Sequence, residues 1–361
     1  MVRPEIKKIS PYRPGKPLGT VLKEKGIERA FKLASNENPL GPSPLGIKAA
    51  KEALREVNRY PEGSGQHLRQ KLAEFYGVKL EEVILGSGSS EILSLSLLTF
   101  LKTGEEVIIP ELTFLIYQIL ILMCGGIPVK VPLKDDFGYN PEAILDAVSS
   151  KTRFLFLGSP NNPTGTIIKK DELHVLFSKL PETVIVVIDE AYAEYVESED
   201  YISGLTFFRK RPLIVTRTFS KIYGLAGLRI GYGIADKSII AEMNRIRPPF
   251  NTTGPAQAAA AAALDDREFI ERSLENNRLG KEYLYRNLSE LSLSFVPTQA
   301  NFILIDLGGR APEVCAQLEE SGIIVRPVDN PGLQERYIRL TIGTPEENEL
   351  FIHALRRILK G

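Results

Sequence analysis

Thr218-Phe-Ser-Lys-Ile-Tyr-Gly-Leu-Ala-Gly-Leu-Arg229 places one lysine between hydroxyl-bearing residues and an arginine. It follows a β-branched run, Leu213-Ile-Val-Thr216. Upstream of that lies Val184-Ile-Val-Val-Ile-Asp-Glu-Ala-Tyr192, a strand pattern that ends in an acid. Earlier still comes Ser159-Pro-Asn-Asn-Pro-Thr-Gly165. Further strand patterns flank these: Val83-Ile-Leu-Gly, Glu106-Val-Ile-Ile-Pro, Pro128-Val-Lys-Val-Pro, Arg153-Phe-Leu-Phe-Leu and Ile230-Gly-Tyr-Gly-Ile. Helical patterns over 91–101, 115–124, 141–149 and 170–180 separate them. Near-continuous apolar strands alternating with helices predict an α/β fold, with a mostly parallel sheet covered on both faces. On such sheets ligands sit beyond the carboxyl ends of the strands. Asp189 and Lys221 both fall there.

Beyond Pro255 the texture changes. Residues 256–264 are alanine-rich, and a charge-laced helical pattern continues to about residue 291. Phe295-Val, Asn301-Phe-Ile-Leu-Ile, Gly322-Ile-Ile-Val-Arg and Tyr337-Ile-Arg-Leu-Thr-Ile then read as strands of a smaller domain closed by a helix over 346–359. The first 30 residues, with Pro4, Pro11, Pro14 and Pro17, read as an extended arm. For a chain of 361 residues the expected division is an N-terminal arm (1–30), a large domain (31–255) and a small α/β C-terminal domain (256–361).

Forty-five basic and forty-five acidic residues cancel, so no electrostatic footprint for nucleic acid or an anionic membrane stands out. Cys124 and Cys315 lack a paired spacing, which argues against a disulfide framework or a cysteine zinc site and for a reducing compartment. His67, His174 and His353 are too dispersed for a recognisable metal cluster. The opening Met-Val-Arg-Pro-Glu-Ile-Lys-Lys has no apolar stretch of the secretory kind. The apolar run 114–124 is roughly half of what a bilayer span needs. A cytoplasmic protein without metal, nucleic-acid or membrane partners is expected.

A lysine becomes a nucleophile only once deprotonated, which desolvation or nearby positive charge favours. Lys221 stands among Phe219, Ile222 and Tyr223, with Arg229 downstream. In isolation it would read as a surface lysine at a helix start. Asp189 ends an apolar strand, where a charge is costly to bury unless it meets a cation or a dense hydrogen-bond set. A pyridinium N–H is such a cation; the plainer reading is a helix cap. Tyr192 and Asn162 can each donate to a phenolic oxygen on the same ring.

Gly86-Ser-Gly-Ser-Ser-Glu91 follows a strand and opens a helix, so its backbone N–H groups, with Ser89 and Ser90, form an anion cradle. The third glycine and partner acid of a dinucleotide fingerprint are missing. Thr218, Ser220 and Arg229 supply further hydroxyls and a guanidinium for a phosphate. Phe114 can stack on a ring face, although an aromatic there equally suits the core. Taken together these residues suit a flat, phosphorylated, nitrogen-containing ring bonded to a lysine, pyridoxal 5′-phosphate (PLP). Lys221, Asp189 and Tyr192 are the catalytic candidates.

With those residues assembled, the chain resembles the fold-type I PLP-dependent aminotransferases, and within them the histidinol-phosphate aminotransferase family. The match runs nearly end to end: Pro11-Tyr-Arg-Pro-Gly-Lys-Pro17, Leu33-Ala-Ser-Asn-Glu-Asn-Pro-Leu-Gly-Pro-Ser43, Arg59-Tyr-Pro-Glu-Gly63, Gly322-Ile-Ile-Val-Arg-Pro-Val328 and Arg339-Leu-Thr-Ile-Gly-Thr-Pro-Glu-Glu-Asn348 all carry it. The asparagine and lysine segments are shared more widely. The resemblance implies a homodimer with each active site at the subunit boundary, and Tyr60 reaching the neighbour's cofactor phosphate. It implies that Asn162, Asp189, Tyr192, Lys221 and Arg229 hold the roles argued above. Arg339 would bind the acidic end of the substrate, helped by Arg326, Asn162 and Tyr12. The implied reaction is transamination of L-histidinol phosphate with 2-oxoglutarate, giving imidazole-acetol phosphate and glutamate, a step of histidine biosynthesis.

Two departures stand out. Family members often carry Asp or Glu where Ser90 sits and Tyr where Phe114 sits; the second leaves substrate tuning open. An aromatic or prephenate aminotransferase would share the cofactor site, and so would a phosphothreonine decarboxylase. A purely binding protein would leave the Asn162–Asp189–Lys221–Arg229 set without chemical purpose.

Overall fold

A computed structural model describes residues 2, 4–9, 18–328, 330 and 333–360. The chain enters through a two-residue strand, β1 (Phe31–Lys32). It then builds a seven-stranded sheet from β2 (Val83–Gly86), β3 (Glu106–Pro110), β4 (Ile127–Val131), β5 (Thr152–Gly158), β6 (Ile185–Asp189), β7 (Leu213–Thr218) and β8 (Gly231–Ala235). The spatial order is β2-β8-β7-β6-β5-β3-β4. Only β8 runs antiparallel to its neighbours, β2 and β7; the other pairs are parallel. Crossovers through helices such as Leu115–Met123, Pro141–Asp146 and Lys170–Lys179 make the parallel pairing possible.

The central strand β6 shows why the sheet is buried on both faces. Val186 and Ile188 pack into one core with Leu155, Val215 and Ala260. Ile185 and Val187 point the other way, to Ile84, Val107 and Ile214. Each such aliphatic side chain contributes about 1.5–3 kcal/mol when fully buried. Together they anchor a strand whose last residue, Asp189, is unfavourable to bury. On one face the helices Pro44–Ala53 and Gly254–Ala263 approach closely, because a Cβ on Gly46 would lie 3.2 Å from the Ala259 carbonyl.

A four-stranded antiparallel sheet follows, built from β9 (Phe295–Val296), β10 (Phe302–Asp306), β12 (Arg326–Pro327) and β13 (Tyr337–Thr341), in the order β12-β13-β10-β9. Its core includes Ile303, Ile305, Leu340, Phe351 and Leu355, with helices Arg267–Glu290, Ala311–Glu320 and Pro345–Lys360 against it. The stretch 322–326, which reads as one strand, is divided. Its first part, β11 (Ile323–Ile324), pairs parallel with β1, and after Val325 the chain joins β13 instead. Within the N-terminal stretch, Leu18–Lys25 is helical where proline content suggested extended chain. No helix among the described residues is long and apolar enough to cross a membrane.

Candidate active site

The loops beyond the carboxyl ends of β2, β3, β5, β6 and β7 converge on one cavity of about 320 Å³. Ser89, Ser90, Phe114, Asn162, Asp189, Tyr192, Thr218, Ser220, Lys221 and Arg229 all line it. Arg326 and Arg339 of the small sheet complete its wall. Residues scattered over 140 positions of sequence therefore meet in one cleft because parallel strands end at one edge.

Asp189 is 6 % exposed and held by three donors. The Tyr117 hydroxyl donates to Oδ2 at 2.9 Å, while the Thr216 hydroxyl and the Ala191 N–H donate to Oδ1 at 3.0 and 3.2 Å. Burial pushes the carboxyl above its ordinary value; those hydrogen bonds and the Lys221 charge oppose it. A cation placed in the cavity would favour its ionised form. The adjacent acid, Glu190, points away from the cleft, as alternation along the chain requires, and pairs with Arg217 at 2.6 Å.

Lys221 follows β7 and reaches back over the cleft. Its Nζ donates to the Ser35 carbonyl at 3.2 Å and lies 5.3 Å from the Tyr192 ring centre. The Tyr192 hydroxyl accepts from Asn36 Nδ2 at 3.0 Å. Asn36 itself sits at φ 54°, with its N–H on the Thr341 hydroxyl at 2.9 Å. Arg339 donates to Asn162 Oδ1 and to the Ala34 carbonyl, both at 2.6 Å. That leaves the Asn162 Nδ2 hydrogens to face a ligand oxygen. Arg326 and Arg339 are register partners across β12 and β13. Like charges so placed repel, and a bound anion offsets that repulsion.

The loop before helix Ser89–Phe100 has the shape of an anion cradle. Gly88 adopts φ 78° and ψ 168°, a conformation essentially reserved for glycine. A Cβ there would also come within 2.6 Å of Arg229 Nη2, so the guanidinium lies directly over the loop. Glu91, in the first turn, accepts from the Ser87 N–H at 2.6 Å and from Asn251 at 2.7 Å, which fixes the loop from below. Thr218 and Ser220 join through their hydroxyls at 2.9 Å. A phosphate fits the cradle, and a ring nitrogen fits the Asp189 carboxylate in the same cavity.

Tyr60 does not line its own chain's cavity. It is 82 % exposed and stacks on Phe250 with ring centres 4.6 Å apart. Tyr12 lies outside the described residues. Ser35, Asn36, Thr113 and Tyr117 also line the cleft, although sequence reading gave them no role there. Of these, Ser35 and Asn36 sit in a segment, Leu33 to Ser43, that the family resemblance had singled out. Among the described residues no cluster of His, Cys, Asp or Glu could hold a metal ion.

Comparison with known proteins agrees with this geometry. Residues 28–355 match the family described as aminotransferase class I and II. Histidinol-phosphate aminotransferase from Moorella thermoacetica is 45 % identical over 359 residues, covering 99 % of this chain and 92 % of that protein. A crystal structure of histidinol-phosphate aminotransferase from Sinorhizobium meliloti, in complex with pyridoxal-5′-phosphate, superposes with a TM-score of 0.91 at 26 % identity, over 99 % of this chain and 97 % of that one. A Thermus thermophilus aspartate aminotransferase double mutant gives 0.85 at 25 % identity, covering 99 % of each chain. The chain thus belongs to the class I and II aminotransferases and, within them, to the histidinol-phosphate aminotransferase family.

Proposed function

We propose that this aminotransferase moves the amino group of L-histidinol phosphate to 2-oxoglutarate, yielding imidazole-acetol phosphate and glutamate. The observation that carries the reading is 45 % identity along almost the entire chain to an enzyme of that name. The two arginines that share the cleft with Lys221 are in keeping with it, since one guanidinium pair can receive a phosphate monoester in one half-reaction and a carboxylate in the other.

When bound, PLP supplies an aldehyde that joins amines covalently and a ring that accepts electrons. Asp189 holds the ring nitrogen protonated. Tyr192 and Asn162 hydrogen-bond the ring oxygen, and Phe114 covers a ring face. Ser89, Ser90, Thr218, Ser220 and Arg229 hold the phosphate. Lys221 would hold the aldehyde end of the cofactor, and as a free amine it would carry the proton that leaves the substrate α-carbon. Arg339, with Arg326, Asn162 and Tyr12, orients the anionic end of the substrate.

The working unit in this reading is a homodimer, and Tyr60 reaches the phosphate in the partner's cleft. The exposure of Tyr60, and of Leu45, Leu54, Val57 and Phe250 on neighbouring segments, supports such an interface. The division at residues 30 and 255 into arm, large domain and small domain belongs to the same proposal. So does a cytoplasmic location, which suits cysteines kept as thiols.

The test is a single-turnover titration of the PLP-loaded protein without a keto acid. Histidinol phosphate should discharge the cofactor's visible absorbance far faster than phenylalanine does. Equal rates, or a preference for phenylalanine, would move the enzyme to the aromatic class; release of carbon dioxide would make it a decarboxylase.

A further inference from the structure

We propose that Tyr117 is a positioning residue for the cofactor: with Thr216 it fixes the Asp189 carboxylate so that the proton they share stays on the ring nitrogen. The proposal rests on the role given to Asp189 above and adds to it the group that makes that role possible.

Tyr117 lies in the first turn of the apolar helix Leu115–Met123 and is 2 % exposed. A buried phenol must find a partner, and this one finds Asp189 Oδ2 at 2.9 Å. The other oxygen is taken by Thr216 and the Ala191 N–H. Room for the hydroxyl comes from Gly158 at the end of β5, because a Cβ there would stand 3.1 Å from it. Edge-on contacts with Phe114 and Phe156, at 5.7 and 5.5 Å between ring centres, hold the phenol ring in place. Burial, and then the charge of Asp189, push this phenol well above its ordinary value, so it keeps its proton and donates it to Asp189. Lys221 also faces Asp189, while Tyr139 and Tyr192 lie near the Tyr117 phenol, and the Tyr139 hydroxyl is already committed to the Gly158 carbonyl.

A carboxylate that accepts hydrogen bonds is a weaker base than one that does not. With the Tyr117 hydroxyl present, Asp189 leaves the shared proton on the ring nitrogen. Without it, the proton moves from nitrogen to a carboxylate oxygen, and no other bond changes. A hydrogen bond to a charged group is large enough to shift that partition by about tenfold or more.

The experiment loads the full chain with PLP labelled with ¹⁵N in the ring and records the nitrogen resonance near neutral pH. Tyr117→Phe keeps the ring and its edge contacts while removing one oxygen. Its resonance should move toward the unprotonated position, and PLP should dissociate more readily than from the unaltered protein. Thr216→Val removes the second hydroxyl and should move the resonance in the same direction, so the test stands even if the Phe variant cannot be loaded. A resonance unchanged in a loaded variant, with only thermal stability reduced, would overturn the proposal and leave Tyr117 a packing residue. If the unaltered protein lacks a protonated nitrogen, or Asp189→Asn leaves it unmoved, the reading of Asp189 falls and this proposal with it.

Discussion

Gly231→Ala should damage cofactor binding from behind the cradle, without touching any ligand-facing side chain. Gly231 opens β8 and pairs with Gly86 of β2 and Thr218 of β7. A Cβ there would lie 2.5 Å from the Ser89 nitrogen, 2.7 Å from the Gly88 carbonyl carbon and 2.9 Å from the Arg217 oxygen. All three are backbone atoms, so no flexible side-chain tip can yield. Ordinary contact begins near 3.4 Å, and the first turn of helix Ser89–Phe100 must therefore retreat by roughly an ångström. Overpacking of this kind costs about 1–3 kcal/mol of stability. The same retreat takes an N–H from hydrogen-bonding distance of a phosphate oxygen to well beyond it. Losing one such charge-assisted bond, at about 1.5–3 kcal/mol, weakens PLP binding by ~10- to 100-fold. Equilibrium dialysis of PLP, compared with phosphate-free pyridoxal, reads the effect, and pyridoxal binding should change little. Gly227→Ala is the control, because a Cβ there meets nothing within 4 Å. A folded Gly231→Ala protein that binds PLP within about twofold of the unaltered chain would refute the reasoning.

Arg339→Ala should slow both half-reactions by about a hundredfold in kcat/KM, the scale of a lost bidentate anion contact, and loss confined to one half-reaction would mean that the acidic substrates do not share it. In the cofactor-free protein, burial raises the Asp189 carboxyl, so the folded state holds a proton that the unfolded state releases from about pH 4 upward. Stability therefore falls as pH rises through that window; Asp189→Asn should remove this slope, and identical melting profiles against pH for the two proteins would contradict it. Mixing inactive Lys221→Ala chains with Tyr60→Ala chains should restore roughly a quarter of normal activity, since half of randomly assorted dimers carry one complete site. No recovery after subunit exchange would count against Tyr60 acting across the interface.

Local pattern made part of this site legible. Asp189 and Lys221 stand out because each interrupts or follows an apolar strand, a place where charge needs a reason. Gly86 to Glu91 stands out because glycines and hydroxyls open a helix. Tyr117 gave no such signal. It sits in a run of Leu, Ile and Met, where an aromatic reads as core, and its hydroxyl matters only because Asp189, 72 positions later, lies beneath it. Asn36 was hidden for the same reason: its partner Tyr192 is 156 positions away. The division of 322–326 between two sheets was equally illegible. Three β-branched residues in a row, Ile323, Ile324 and Val325, announce extended chain, and which neighbour each pairs with is decided by distant parts of the molecule.

The segment around β1 has a consequence for how the protein comes to be made. Phe31 and Leu33 hydrogen-bond to Gly322 and Ile324, Leu33 also accepts from Thr341, and Asn36 leans on Thr341. Synthesis on the ribosome runs from the amino end, so this early stretch must wait for almost the whole polypeptide to emerge before any of those partners exists. Ala34 and Ser35, whose carbonyls receive Arg339 and Lys221, wait with it. This early stretch is thus among the last to be seated, and the large sheet can form well before the cleft at its edge is finished.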